Sequence, residues 1–210
     1  MSILQAFLFG YAAAFVGTLP PGLLNMTAIK ISYRDNKNRA LWFAFGASTV
    51  ILFQTFIAVV FGRYISKRAD ISDAIHEIGI FIFLGLTIYF FWSNRQKKKQ
   101  KKGKEEVKVR TKSSRFMIGA LLSALNLFPI PYYAVVSLSL ATLGWFSFEN
   151  SFLVSFSIGT ALAAFSVFVL YVWGFPTKKS EDSYLLQNFN KVLGIITGII
   201  TVFGLIKLVF

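Results

Sequence analysis

Cysteine is absent from the 210 residues, which excludes disulfides, thiolate zinc sites and membrane thiol relays. Histidine occurs once, at His76, and there are only nine acids, so neither a metal cluster nor a nucleophile–base pair has much to draw on. No catalytic residue, metal or cofactor is expected. Charge is scarce too, at 15% of residues where a soluble domain carries roughly 25%. Proline occurs five times, and four of the five crowd into two short stretches, Pro20-Pro21 and Pro129-Ile130-Pro131. The opening "MSILQAFLFGYAAAF" has no cationic start, and its apolar run continues past the small residues; a cleaved signal peptide is not expected.

What remains is apolar. Hydrophobic residues make up 55% of the chain, 24 of them Phe, and the mean hydropathy is +0.62. One small core could not hide that much surface, so the expected class is an all-α membrane protein. Apolar windows predict six transmembrane helices, over 3–31, 40–64, 75–92, 116–143, 151–174 and 192–210.

Loop charges then orient the spans. Lys30, Arg34, Lys37 and Arg39 follow the first span, eleven basic residues lie between Arg95 and Arg115, and Lys178, Lys179 and Lys191 follow the fifth. The second connection is balanced, and the fourth carries only Glu149. Cationic loops stay cytoplasmic, so the chain is expected to be multi-pass in the plasma (inner) membrane with both termini outside. The net charge of +13 is concentrated in the Arg95–Arg115 linker rather than spread over an aromatic-studded face, which argues against nucleic acid. That linker reads as a solvated topogenic segment that can also meet anionic lipid headgroups.

The two halves share an order of features. Each opens with an overlong apolar run broken by proline, "TLPPGLLN" and "SALNLFPIPYY". Each continues with a glycine early in its second span, Gly46 and Gly159, and closes with a short span holding Gly85 or Gly204. Three spans is an odd number, so the second copy enters the membrane from the opposite side. The expected organisation is a three-helix repeat over 1–93, a basic linker over 94–115 and an inverted three-helix repeat over 116–210.

Residues 3–31 as one helix would run about 43 Å, against a hydrocarbon thickness near 30 Å. Breaks at Pro20, Pro21 and Gly22, and at Pro129 and Pro131, absorb the excess. Irregular backbone at membrane depth survives only when buried in protein or lining a cavity. A half-helix beginning at each break offers free N–H groups and partial positive charge to a carboxylate. The candidate substrate-binding residues are therefore Pro20, Pro21, Gly22, Asn25, Gln54, Asn126, Phe128, Pro129, Pro131 and Tyr132. Asn25 and Asn126 either satisfy freed backbone groups or touch substrate, Gln54 bridges helices or lines the site, and Phe128 and Tyr132 shape a cavity. None of the nine acids falls in a span interior, all sitting in loops or at span ends, and Lys207 lies close enough to its span end to snorkel outward.

The stretch "TLPPGLLNMTAIKISYRDNKNRALWFAFGAST" resembles the start of the lysine exporter (LysE/RhtB) family of amino-acid efflux proteins. Pro20, Pro21, Gly22 and Asn25, the basic turn from Arg34 to Arg39 and Gly46 carry the likeness. The resemblance implies six segments in two three-helix halves and export of amino acids. Where the family commonly has an aspartate after the second-segment glycine, this chain has Ala47 and Ser48, and no lysine follows Asn126. A neutral or apolar amino acid is thus expected rather than a cationic one. The alternative is a non-transporting membrane assembly or lipid-interacting protein of the same fold. A metal-ion exporter lacks the ligands. A homodimer is one oligomeric arrangement the chain allows. The topology is checked with single cysteines: an impermeant maleimide should label Lys101→Cys only from the cytoplasmic side and Glu149→Cys only from outside, and the reverse pattern would refute it.

Overall fold

The computed structural model describes residues 2–67, Ile88 and residues 112–174, and among them every regular element is an α-helix. The expected third and sixth spans (Ile88 apart), the linker to residue 111, and His76 and Lys207 lie outside the described residues. The chain divides into two compact units, Met1–Tyr64 with Val109–Ser180 and Ile65–Lys108 with Glu181–Phe210. The first draws on both halves of the sequence and holds both proline-rich stretches.

Helix α1 spans Ile3–Thr18 and starts on a capping box: the Gln5 N–H donates to Ser2 Oγ at 3.2 Å, and the Ser2 N–H to Gln5 Oε1 at 2.8 Å. It stops where Pro20 and Pro21 remove two donors. Helix α2, Leu23–Arg34, resumes after Gly22 with the chain turned by 75°. Helix α3 is the uninterrupted run Lys37–Ser66. The second half repeats the plan. Helix α4 spans Lys112–Ala124, helix α5 spans Pro129–Thr142 at 62° to it, and helix α6 is the long run Asn150–Gly174. Gly144, at φ +72°, closes α5 in a Schellman motif: its N–H reaches the Ala141 carbonyl at 2.9 Å and that of Trp145 reaches Leu140 at 2.8 Å.

Helices α3 and α6 are long and apolar enough to cross a membrane; counting each bent pair as one span brings the described spans to four. Their faces sort by size rather than by polarity. On α3 the outer face carries Phe53, Phe56, Ile57 and Phe61, whereas Ala44, Ala47, Ser48, Gln54, Thr55 and Ala58 turn inward. Large apolar groups outside and small or hydroxylic ones inside suit a lipid solvent, where association comes from close packing and interhelical hydrogen bonds.

The packing is carried by one short pattern used four times. "FLFG" in α1, "FAFG" in α3, "FMIG" in α4 and "FSIG" in α6 each place a Phe three residues before a Gly. They meet in reciprocal pairs. Gly10 of α1 faces the Phe156 carbonyl of α6 while Gly159 of α6 faces the Phe7 carbonyl of α1. Gly46 of α3 faces Phe116 of α4 while Gly119 of α4 faces Phe43 of α3. A Cβ at any of the four would fall on the opposing carbonyl oxygen and 2.9–3.1 Å from its carbon. Each pair joins a helix of one half to a helix of the other.

The two ends of these helices are tied differently. At one end Arg115 binds the Asp35 carboxylate through Nε at 2.8 Å and Nη2 at 2.7 Å, Arg39 approaches it at 3.8 Å, and the Lys37 ammonium stands 4.0 Å over the Trp173 ring. At the other, Arg63 donates to Asn150 Oδ1 at 2.7 Å and Ser155 to the Ile3 carbonyl at 2.8 Å. Substituting Gly46 or Gly119 by Ala is expected to cost about 1–3 kcal/mol through overpacking against backbone. Gly174→Ala, with nothing within 4 Å of the added Cβ, should leave the thermal midpoint of the detergent-solubilised protein unchanged.

Candidate functional site

Two interruptions, each inside a helix pair apolar enough to span a membrane, free main-chain groups, and the structure gives each a donor. At the first break, residues 19–22, the Asn25 side chain turns back from α2 and donates through Nδ2 to the carbonyls of Thr18 at 2.8 Å and Pro20 at 2.9 Å. Asn25 is buried, at 3% exposure. The carbonyl between them, that of Leu19, accepts from the Tyr171 hydroxyl of α6 at 2.7 Å, and the same hydroxyl meets the Asn25 amide.

At the second break, residues 125–128, the donor is Gln54 of α3. Its Nε2 reaches the carbonyls of Ser123 at 3.1 Å and Asn126 at 3.0 Å. Each break is thus secured by a polar side chain from the long helix of the opposite half, Tyr171 for the first and Gln54 for the second.

The breaks also approach one another. Tyr132, one turn into α5, donates to the Ala13 carbonyl of α1 at 3.0 Å and lays its ring against Gly17, where an added Cβ would lie 3.0 Å away. Tyr133, 3% exposed, sets its ring edge-on against Tyr132 and Phe156. Phe128 stacks on Tyr132 with centroids 5.5 Å apart. The structure therefore gathers Thr18, Asn25, Tyr132, Tyr133 and Tyr171 around the first break, and Gln54, Asn126, Phe128, Pro129 and Pro131 around the second.

The two half-helix starts are chemically unequal. At α2, Pro21 ends the loop, Gly22 caps without a side-chain bond, and among the described residues no acceptor meets the amides of Leu23, Leu24 and Asn25. A Cβ on Gly22 would have nothing within 4 Å, so a ligand can approach the backbone there. At α5 the expectation of free amides near Pro131 does not hold. Pro129 and Pro131 have no N–H, and those of Ile130 and Tyr132 are bonded to Leu127 and Phe128, both at 3.3 Å. Asn25 and Asn126 differ as well: the first is buried and donates, while the second is exposed and contributes its main-chain oxygen.

The second break also leaves oxygen atoms without donors. Gln54 Oε1 and Ser123 Oγ are buried with no hydrogen-bond partner, as is Ser48 Oγ farther along α3. Among the described residues no group of three His, Asp or Glu side chains comes together to bind a metal. Sequence reasoning missed Tyr133 and Tyr171, which sit in wholly apolar runs. It missed the fourfold Phe-x-x-Gly pattern as well, although aligning the chain with itself would have exposed it. No family model, curated protein or solved structure matches the chain.

Removing these donors should have graded effects. Asn25→Leu strands the Thr18 and Pro20 carbonyls and is expected to cost about 3 kcal/mol, whereas Tyr171→Phe should cost about 1 kcal/mol. Equilibrium unfolding in mixed detergent micelles measures both, and equal costs would contradict the assignment of Asn25 as the main donor.

Proposed function

We propose that the protein is a secondary exporter of neutral amino acids or closely related zwitterions, built from two inverted three-helix repeats and working by alternating access. The observation that carries this reading is the matched pair of broken helices, each stabilised by the long helix of the opposite half. A bundle that needed only kinks could use one; two interruptions in corresponding places, meeting through Tyr132, are what a midplane substrate site requires. The open amides of Leu23 and Leu24 favour a carboxylate, and the uncharged surroundings favour a substrate without net charge.

Contacts at the helix ends support the orientation. Asp35–Arg115 and Lys37–Trp173 bring the start of α4 and the end of α6 to the turn between α2 and α3, and these are the helix ends next in sequence to the three basic connections. Arg63–Asn150 joins the opposite ends of α3 and α6. The basic end would face the cytoplasm, its linker near anionic headgroups, with both termini outside. The likeness of residues 18–49 to amino-acid exporters points to the same activity.

A second reading, a non-transporting assembly or lipid-interacting protein, is favoured by one detail: the Asn25 amide is already engaged by backbone, as in a static kink. The two readings are separated by metabolite profiling. Overexpression should lower intracellular levels of one or a few neutral amino acids, and Pro21→Ala should abolish the effect at unchanged protein abundance. Unaltered pools across a broad panel would favour the assembly reading.

A further inference from the structure

We propose that the second break binds a monovalent alkali cation such as Na+, and that this ion, rather than a proton, energises the export proposed above. Its coupling role rests on that transport reading; its binding does not.

The inference begins with the oxygen atoms around residues 123–126. The carbonyls of Ser123 and Asn126 converge on one point, marked by Gln54 Nε2 at 3.1 and 3.0 Å from them. Beside them Gln54 Oε1 and Ser123 Oγ are buried and unpartnered. Gln54 is 6% exposed and Ser123 0%. Leaving such atoms without a donor is unfavourable, and water would relieve it as well as an ion would. The rest of the site selects a positive charge. Ser123 and Ala124 are the last residues of α4, so the helix dipole places partial negative charge there. The group now occupying the point of convergence is itself the positive end of an amide dipole.

A half-turn of the Gln54 amide exchanges Nε2 for Oε1. Without a cation that would set three oxygens against one another; with one it makes four ligands, the Ser123 and Asn126 carbonyls, Gln54 Oε1 and Ser123 Oγ. Oxygen donors suit a hard ion. All four are neutral, which suits a single charge and leaves a divalent ion uncompensated. Among the described residues the acids are Asp35 and Glu149, both at helix ends and neither buried, so no proton carrier accompanies these oxygens. The two breaks then divide the work: the α2 start meets an anionic group, and the α4 end a cation.

The test uses the purified full-length protein in detergent, with NaCl replacing choline chloride at constant ionic strength. The thermal midpoint should rise saturably with Na+, by about 3 °C at tenfold excess over the dissociation constant. Ser123→Ala, which removes only an unpartnered hydroxyl and so stays folded, should weaken the response, and Gln54→Leu should abolish it. Gln54→Glu should keep it and lower the half-saturating concentration about tenfold by charge assistance. One midpoint in Na+, K+, Li+ and choline would overturn the site. Export that continues unchanged without alkali cations would overturn the coupling role and leave transport standing. Saturable stabilisation in a protein that moves no amino acid would uphold the site and remove the transport reading.

Discussion

A carbonyl oxygen freed by a helix break needs a donor in place of the one it lost, and this protein breaks two helices. Four freed carbonyls receive Nδ2 of Asn25 and Nε2 of Gln54, and a fifth receives the Tyr171 hydroxyl. Most other details follow from that requirement. Long polar side chains are needed on helices that are otherwise mostly apolar, and those helices must pass close enough for the side-chain tips to reach the interruptions. The close passage in turn needs small residues at the crossings, which the four glycines provide.

The crossings pair helices across the halves rather than within them. Helix α1 is matched to α6 and α4 to α3, each by two glycines facing two phenylalanine carbonyls. Backbone-to-backbone contacts of this kind tolerate little sliding, because interiors packed without voids are bistable rather than soft. The contact between the breaks is made by one side chain, Tyr132, with its hydroxyl on Ala13 and its ring on Gly17. Movement is therefore cheaper at the centre, between α1 and α5, than along the glycine crossings.

Much of the described fold was legible in the sequence. The four apolar windows over 3–31, 40–64, 116–143 and 151–174 became two broken and two continuous helices, and the proline clusters marked the breaks to within a few residues. Those signals are strong because proline chemistry is local and hydropathy needs no tertiary information. The donors were harder. Gln54 and Asn25 stood out as amides in apolar runs, but a tyrosine near a span end reads equally well as an interfacial anchor, and only the fold brings Tyr171 to residue 19, 152 positions earlier. The equivalence expected of Asn25 and Asn126 also depended on geometry. Proline at both Pro129 and Pro131 shifts the second break ahead of them, so Asn126 stays outside and Gln54 supplies the donor in its place.

The reciprocal glycine crossings bear on how the chain is made. Helix α1 leaves the ribosome long before α6, yet the backbone groove around Gly10 and the Ile3 carbonyl find their partners only at Phe156 and Ser155. Until then the facing sides of the first three helices lack the partners that they meet in the finished fold. Neither α1–α3 nor α4–α6 closes these crossings alone, so two fragments separated between them would have to meet before either could complete its packing.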